Sequence, residues 1–385
     1  MINKLEDIAQ FISGKAFTSK DFTENPQVEG ALPIIRIQNV NSEEAQFKYW
    51  NKDYDEKFIV TSGDLLMSLS GDFKLKIWDG PKALLNQRVV KIEINDNVNK
   101  YYLFKYLQSK IYILTSMGNS SIINNLSIKT LKKFNIELPN LINQNKIENI
   151  IRKLDVQLSK RKEQLKLLDE LEESLFNNMF EQEMKNTENL LSEIILDTKY
   201  GSSTKADFTK ESKMPIIRIP NILNSRINHN DLKYVEMDQK ERDKYKLMKN
   251  DILIVRSNGN PQYVGRSAIV TENEKDFVFA SYLVRITLDN KLVNSTFINF
   301  YLNSKYGRRE ILKKARTSAG QYNINNDGIK NINCFIPELN KQNRFAKKIE
   351  EIEELKKQCQ KSLKYYEELY KTLLYKAFNG ELFKE

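Results

Sequence analysis

The chain has little of what most catalytic and metal centres are built from. Only two cysteines, Cys334 and Cys359, occur in 385 residues; they stand apart with no CxxC spacing, and His229 is the one histidine. This excludes most zinc sites, Ser-His-Asp triads and Cys-His pairs, which need histidine or clustered thiolates as ligand or base. No glycine-rich loop ends in Gly-Lys-Ser/Thr, so nucleotide hydrolysis of the P-loop kind is not expected. No apolar run reaches the roughly 18 residues that a membrane-spanning helix needs. The opening Met1-Ile2-Asn3-Lys4-Leu5-Glu6-Asp7 places acidic residues where a signal peptide would have its apolar core, which points to the cytoplasm.

What the chain does have is positive charge. Lys and Arg number 61 against 51 Asp and Glu, giving +10 and a pI near 9.1. Such a surface attracts polyanions, of which nucleic acid is the commonest in a bacterial cytoplasm. A Lys-, Asn- and Ile-rich proteome raises pI as well, so charge alone does not decide the matter. With 40% hydrophobic and 29% charged residues the composition is that of a globular protein, and 385 residues suffice for two or more domains with their own cores.

The chain is organised around a long helix that occurs twice. From Leu141 to Phe180 a 4,3 alternation runs through Ile147, Ile151, Leu154, Leu158, Arg161, Leu165, Leu168, Glu172, Leu175 and Met179. Adding 198 to each number gives Phe345, Ile349, Ile352, Lys356, Cys359, Leu363, Tyr366, Tyr370, Leu373 and Ala377, with no gap, in a second helix from Leu339 to about Phe378. Both follow the same punctuation, Leu138-Pro139 and Ile336-Pro337, and both carry a glutamine at the matching place, Gln144 and Gln342. A fixed-period repeat of this length outranks single-residue signals.

The segments before the helices repeat too. An amphipathic stretch, Leu5 to Phe11, precedes Gly14, as Leu191 to Leu196 precedes Gly201. Pro33-Ile34-Ile35-Arg36-Ile37 then matches Pro215-Ile216-Ile217-Arg218-Ile219, each reading as a buried strand with its arginine surfacing at one end. Arg36 and Arg218 suit a strand-edge salt bridge as readily as a nucleic-acid contact. Gly63-Asp64 and Asn250-Asp251 are tight turns that lead into apolar strands. Those strands end in polar residues, Ser68, Ser70 and Gly71 in one half and Arg256, Ser257, Asn258 and Gly259 in the other, at loops where recognition usually sits. Further strands are expected at Arg88 to Ile94 and Phe279 to Thr287, and helices near Tyr101 to Leu114 and Thr296 to Lys314. Before each Leu/Ile-Pro lies a turn-prone polar segment, Gly118 to Asn125 with Ser120, Asn124 and Asn125, and Ser318 to Asn325 with Gln321, Tyr322 and Asn323. Side chains of these types hydrogen-bond base edges or phosphates.

This arrangement resembles the specificity subunit of a type I restriction-modification enzyme, over essentially the whole chain. The resemblance rests on the paired PIIRI strands, the Gly/Asn-Asp strand starts, the Gly-Ser-rich and Gly-Gln-Tyr-Asn segments, and the ending Lys376-Ala377-Phe378-Asn379-Gly380-Glu381-Leu382. Where the family often has Glu-Gln after the proline, this chain has Asn143-Gln144 and Lys341-Gln342, positions expected to serve helix capping and subunit contact. The resemblance implies an α+β fold: two similar mixed α/β target-recognition domains, residues 1–140 and 185–338, joined by two long antiparallel helices, 141–184 and 339–385, that form a coiled coil with a pseudo-two-fold internal repeat. Each domain would read one half of a split double-stranded DNA site and the helix pair would act as a ruler, since about 40 residues rise about 60 Å. The implied partners are two methyltransferase subunits, which would hold the S-adenosylmethionine, with restriction and translocase subunits joining for cleavage. This chain itself would bind no cofactor or metal and would not be an enzyme.

Two short motifs suggest chemistry and do not sustain it. Asn260-Pro261-Gln262-Tyr263 lacks the second proline of the adenine-N6 methyltransferase motif and has no partner glycine-rich loop, and Glu211-Ser212-Lys213 has the Glu-x-Lys form of some nucleases without a preceding acidic strand. The competing reading is a coiled-coil adaptor between proteins, without sequence readout. The two differ in whether the loops carry base-reading side chains. Arg36, Ser68, Ser70, Lys74, Lys76, Arg218, Arg256, Ser257, Asn258, Arg266 and the residues of the two polar segments are the DNA candidates. Leu154, Leu165, Leu168, Ile352, Leu363 and Tyr366 are the expected helix contacts, with Leu154, Leu165, Ile352 and Leu363 buried between the helices.

Overall fold

The computed structural model of the protein describes residues 2–383 apart from 43–44, 117–125, 186–187, 212 and 319. The chain forms two compact units, Met1–Lys162 with Lys361–Glu385, and Glu163–Gln360. Both long helices are divided between them, so neither helix is a separate layer.

Each unit is built on the same pair of sheets. In the first, Ala9–Ser13, Val89–Ile94, Leu65–Ser68 and Leu75–Ile77 form an antiparallel sheet in that spatial order. In the second, Ile195–Tyr200, Leu283–Leu288, Ile252–Val255 and Ser267–Ile269 repeat it. The register repeats as well: Leu65 faces Ile92 as Ile252 faces Ile286. A second sheet joins Leu32–Ile35 to Ala83–Leu85, and Met214–Ile217 to Val278–Phe279, in parallel. The expected strand Phe279 to Thr287 is thus divided, its start in one sheet and Leu283–Leu288 in the other.

Local chemistry explains these elements. Ile34, Ile35, Ile216 and Ile217 are buried, and both strands end just before the arginine. Asn39 and Asn221 then accept the backbone N–H of Arg36 and Arg218, each at 3.0 Å, closing a tight turn. Gly63 and Asn250 take positive φ, 94° and 72°, and the following Asp64 and Asp251 accept the N–H of Thr61 and Met248. Gly14 and Gly201 allow a close crossing, since a Cβ there would lie 2.1 Å from the Asn86 carbonyl oxygen and 2.4 Å from that of Ala280.

The long helices run Leu141–Phe180 and Leu339–Phe378. They contain no glycine or proline and are rich in Leu, Lys and Glu, which suits an uninterrupted helix. Asn140 caps the first by accepting from Asn143 N at 2.9 Å, and Gly380, at φ 68°, lets the chain turn back on Lys376 at the end of the second. Within each unit the two helix segments run in opposite senses. In the second unit Gln164 meets Cys359, Asp169 and Glu172 meet Lys356, and Phe176 and Phe180 meet Phe345. In the first unit Lys105 bridges Asp155 and Tyr370, and Lys146 lies over the Phe383 ring.

Burial along the seam is uneven. Ile147, Ile151, Ala377 and Phe378 enter the core of the first unit, and Phe176, Phe180, Phe345 and Ile349 that of the second. Leu154 and Ile352 are buried, whereas Leu165, Leu168, Leu363 and Tyr366 are half-buried, contrary to the full burial expected for Leu165 and Leu363. Cys359, between Lys356 and Leu363 in the second series, is buried as well, so the exposure of Leu165 and Leu363 is a property of those positions and not of the whole seam. Phe176 and Phe180 lie one position off the 4,3 series and join Phe297, Phe335 and Phe345 in an aromatic cluster with centroid distances of 4.8 to 6.3 Å. Burying each of these rings is worth about 1.5–3 kcal/mol.

Candidate nucleic-acid interface

The second unit gathers most of the candidates at one sheet end. Ser257–Asn258 pairs antiparallel with Gln321–Asn323, placing Ser257 opposite Asn323 and Asn258 opposite Tyr322, and Arg316–Ser318 extends the ribbon. The Arg256 carbonyl accepts from Ile324 N at 2.8 Å. Segments separated by more than sixty residues thereby present Arg256, Asn258, Gln321, Tyr322 and Asn323 on one small sheet.

Arg256 has the geometry of a reader. Its guanidinium lies 4.4 Å from the Tyr200 ring centroid, and no carboxylate pairs with it among the described residues. A stacked, unpaired guanidinium keeps its fork in a fixed plane with donors to spare. Ser257 plays a different part: it is buried and its hydroxyl donates to Gln321 Oε1 at 3.2 Å, so it ties the ribbon together and does not face a ligand. Arg266 stacks 3.9 Å from the Tyr263 centroid and donates Nε to the Gln262 carbonyl at 3.0 Å. Arg308 holds the same loop by donating to the Val264, Pro261 and Gln262 carbonyls. Burial, with the Arg266 charge added, lowers its pKa from the usual arginine range.

In the first unit the loop after Leu65–Ser68 is held from within. Ser68 is fully buried; its hydroxyl contacts Asn41 Oδ1 and the Asp72 carbonyl and accepts from Lys74 N at 2.8 Å. Asn41 donates to the Asp72 carbonyl at 3.0 Å. Ser68 is a brace of this loop, and Ser70 is buried beside it. Lys74 is exposed, its ammonium resting on the Asn41 carbonyl at 3.1 Å, while Lys76 pairs with Asp79 at 3.1 Å and lies over Trp78. Ser120, Asn124 and Asn125 lie outside the described residues.

Arg36 and Arg218 are occupied elsewhere. Arg218 donates to the Asp231 carbonyl at 2.7 Å and pairs with its carboxylate at 3.0 Å, and Arg36 reaches the Gln46 carbonyl at 3.4 Å. With Asn39 and Asn221 donating to the Ala45 and Asn228 carbonyls, each Arg-Ile-x-Asn pair clamps the loop that follows it. Sequence reasoning did not find Tyr200, Arg308 or Asn41. An aromatic directly before the repeated Gly201 was the available signal for Tyr200; the other two depend on contacts distant in sequence.

A groove of about 1080 Å³ in the second unit is lined by charges of both signs, Asp169, Glu172, Glu173 and Glu353 against Arg226, Lys305, Lys356 and Lys357. Glu172 and Lys356, each an exception in its apolar seam, face one another at 2.8 Å. Burial raises the Glu172 carboxyl, while hydrogen bonds to Asp169 and Glu172 hold Lys356 protonated against its own desolvation.

Comparison with known proteins places this geometry. The family described as the type I restriction modification DNA specificity domain matches twice, over residues 1–168 and 191–365. The chain is 25% identical to the Escherichia coli protein named type I restriction enzyme EcoBI specificity subunit, covering 98% of this chain and 85% of that one. It is similar in fold to a type I restriction-modification S subunit from M. genitalium, with a TM-score of 0.62, 15% identity and 98% and 96% of the two chains covered. A chain from a structure titled for complex assembly and conformational transition of the type I system matches at a TM-score of 0.55, with 14% identity over 99% and 98% of the chains.

Proposed function

The chain belongs to the type I restriction-modification DNA specificity family, and from that premise we propose how its two units divide the work. The protein is the non-catalytic, DNA sequence-recognition subunit of a type I restriction-modification complex. Each unit reads one half of a bipartite site on double-stranded DNA, and the paired helices set the spacing between the halves. Two methyltransferase subunits dock on the chain and carry the S-adenosylmethionine; restriction and translocase subunits add to that core. The complex works in the cytoplasm, where the chromosome lies.

The observation that carries the reading is the ribbon of the second unit, where an arginine stacked on Tyr200, with no carboxylate partner among the described residues, stands beside Asn258, Gln321 and Asn323. Arginine, asparagine and glutamine are the side chains that make two-point contacts with base edges. An adaptor without readout has no use for them there.

Mapping methylated positions genome-wide in cells with and without this protein tests the proposal. A two-part motif with a fixed spacer, present only when the protein is present, is expected. Methylation that is unchanged by its removal would sink the reading.

A further inference from the structure

Equivalent hydrogen bonds allow the two units to be compared position by position. Leu69 N donates to the Arg88 carbonyl at 3.0 Å and the Leu69 carbonyl accepts from Leu126 N at 3.0 Å; Arg256 N donates to the Tyr282 carbonyl at 2.9 Å and its carbonyl accepts from Ile324 N at 2.8 Å. The sheet ladders give the same correspondence, with Ser13 opposite Val90 where Tyr200 is opposite Val284, and Ser68 opposite Val89 where Val255 is opposite Leu283. Three positions at this sheet end therefore differ together. The first unit has Ser13, Leu69 and Arg88 where the second has Tyr200, Arg256 and Tyr282.

Each unit has one arginine at the backbone-paired site, on opposite strands. In the second unit the arginine follows Ile252–Val255 and lies on the Tyr200 ring, and Tyr282 across from it is 58% exposed. In the first unit Leu69 carries no charge and Ser13 offers no ring. Arg88 is exposed, and its side chain has no hydrogen bond or ion pair among the described residues. Among the described residues this arginine is held only by its backbone, at the site where the other unit stacks its own, and nothing there engages its fork.

We propose that this pair of positions is the seat of specificity in both units, and that Arg88 reads a guanine in the first half-site as Arg256 does in the second. The proposal rests on the reading above, that both units recognise DNA. A guanidinium fork donates to O6 and N7 of guanine together, a pattern unique to that base in the major groove. Neighbouring strands lie about 4.8 Å apart, so moving the arginine across the pair moves the fork sideways by that distance. The two units thus present their forks at different places and select unlike half-sites.

The test uses the complete complex of this chain with its methyltransferase subunits, comparing wild type with Arg88→Ala, Arg88→Lys and Arg256→Ala by methylated-site mapping and by binding to a duplex carrying the wild-type site. Arg88→Ala is expected to reduce the preference for guanine at one position of one half-site on the order of 10- to 100-fold, and Arg256→Ala to do the same in the other half. Arg88→Lys should keep overall affinity but not the preference, because a point charge does not make the two-pronged contact. The assignment is overturned if Arg88→Ala leaves a two-part motif intact, if lysine restores the guanine preference, or if both alanine variants relax the same half. A wild-type complex with no two-part site would instead overturn the recognition reading, and this proposal with it.

Discussion

Gln144 and Gln342 show how a single side chain ties a long helix to its domain. Gln342 is completely buried; its Oε1 accepts Asn294 N at 2.9 Å and its Nε2 donates to the Pro337 carbonyl at 2.7 Å. Gln144 repeats both bonds, to Asn99 N and the Pro139 carbonyl, each at 2.8 Å. The amide joins three places at once: the helix that carries it, the proline before that helix, and the cap of a neighbouring helix. Gln342→Ala leaves two buried backbone groups unsatisfied, each costing about 1–3 kcal/mol. A urea melt should therefore show a lower midpoint for this variant with an unchanged slope; a midpoint equal to wild type would mean that water replaces the amide.

At the scale of the helices, burial decides which seam residues matter. Ile352→Ala should cost about 2–5 kcal/mol, because Ile352 is buried. Leu165→Ala should cost clearly less, since Leu165 is half-buried and part of the vacated space is already open to water. Denaturant titration of the pair decides, and equal losses would contradict the burial pattern. Two of the three breaks in apolar patterning, Glu172 and Lys356, form an ion pair across the seam, with side chains 13% and 12% exposed. Lys356→Met removes the partner of a mostly buried carboxylate, a change that in buried pairs costs about 3–5 kcal/mol. Replacing both residues by apolar ones should recover much of that loss. Failure of the double variant to exceed Lys356→Met in stability would show that the pair itself, not the unpaired charge, carries the energy.

For the molecule as a whole, a surplus of ten positive charges predicts binding to DNA that weakens steeply with salt. Lys74 is an exposed cation on a loop braced by Ser68 and Asn41, suited to a phosphate contact. Lys74→Ala should lower affinity about equally for specific and unrelated duplexes and reduce the log–log salt slope by about one. Fluorescence anisotropy over a salt series checks this; a loss confined to the specific duplex would place Lys74 at a base instead.

The duplication, the two helices and the strands after each Gly/Asn-Asp turn were all legible in the sequence, because hydrophobic period and turn chemistry are local signals that one chain carries in full. The 4,3 spacing and the Leu/Ile-Pro before it point to helices from about Leu141 to Phe180 and from Leu339 to about Phe378, and the structure has helices over those residues. Which polar side chains face outward was not local. Ser68, Ser257 and Arg218 have the composition of contact residues, yet a buried hydroxyl bond or an aspartate from another segment occupies each of them. Likewise Arg256 gains its fixed plane from Tyr200, 56 residues earlier, and Arg88 its equivalence from a backbone bond to Leu69. Periodicity determines which residues share a face of an element; only the packing of elements decides what that face meets, because the partner comes from a part of the chain that no local pattern identifies.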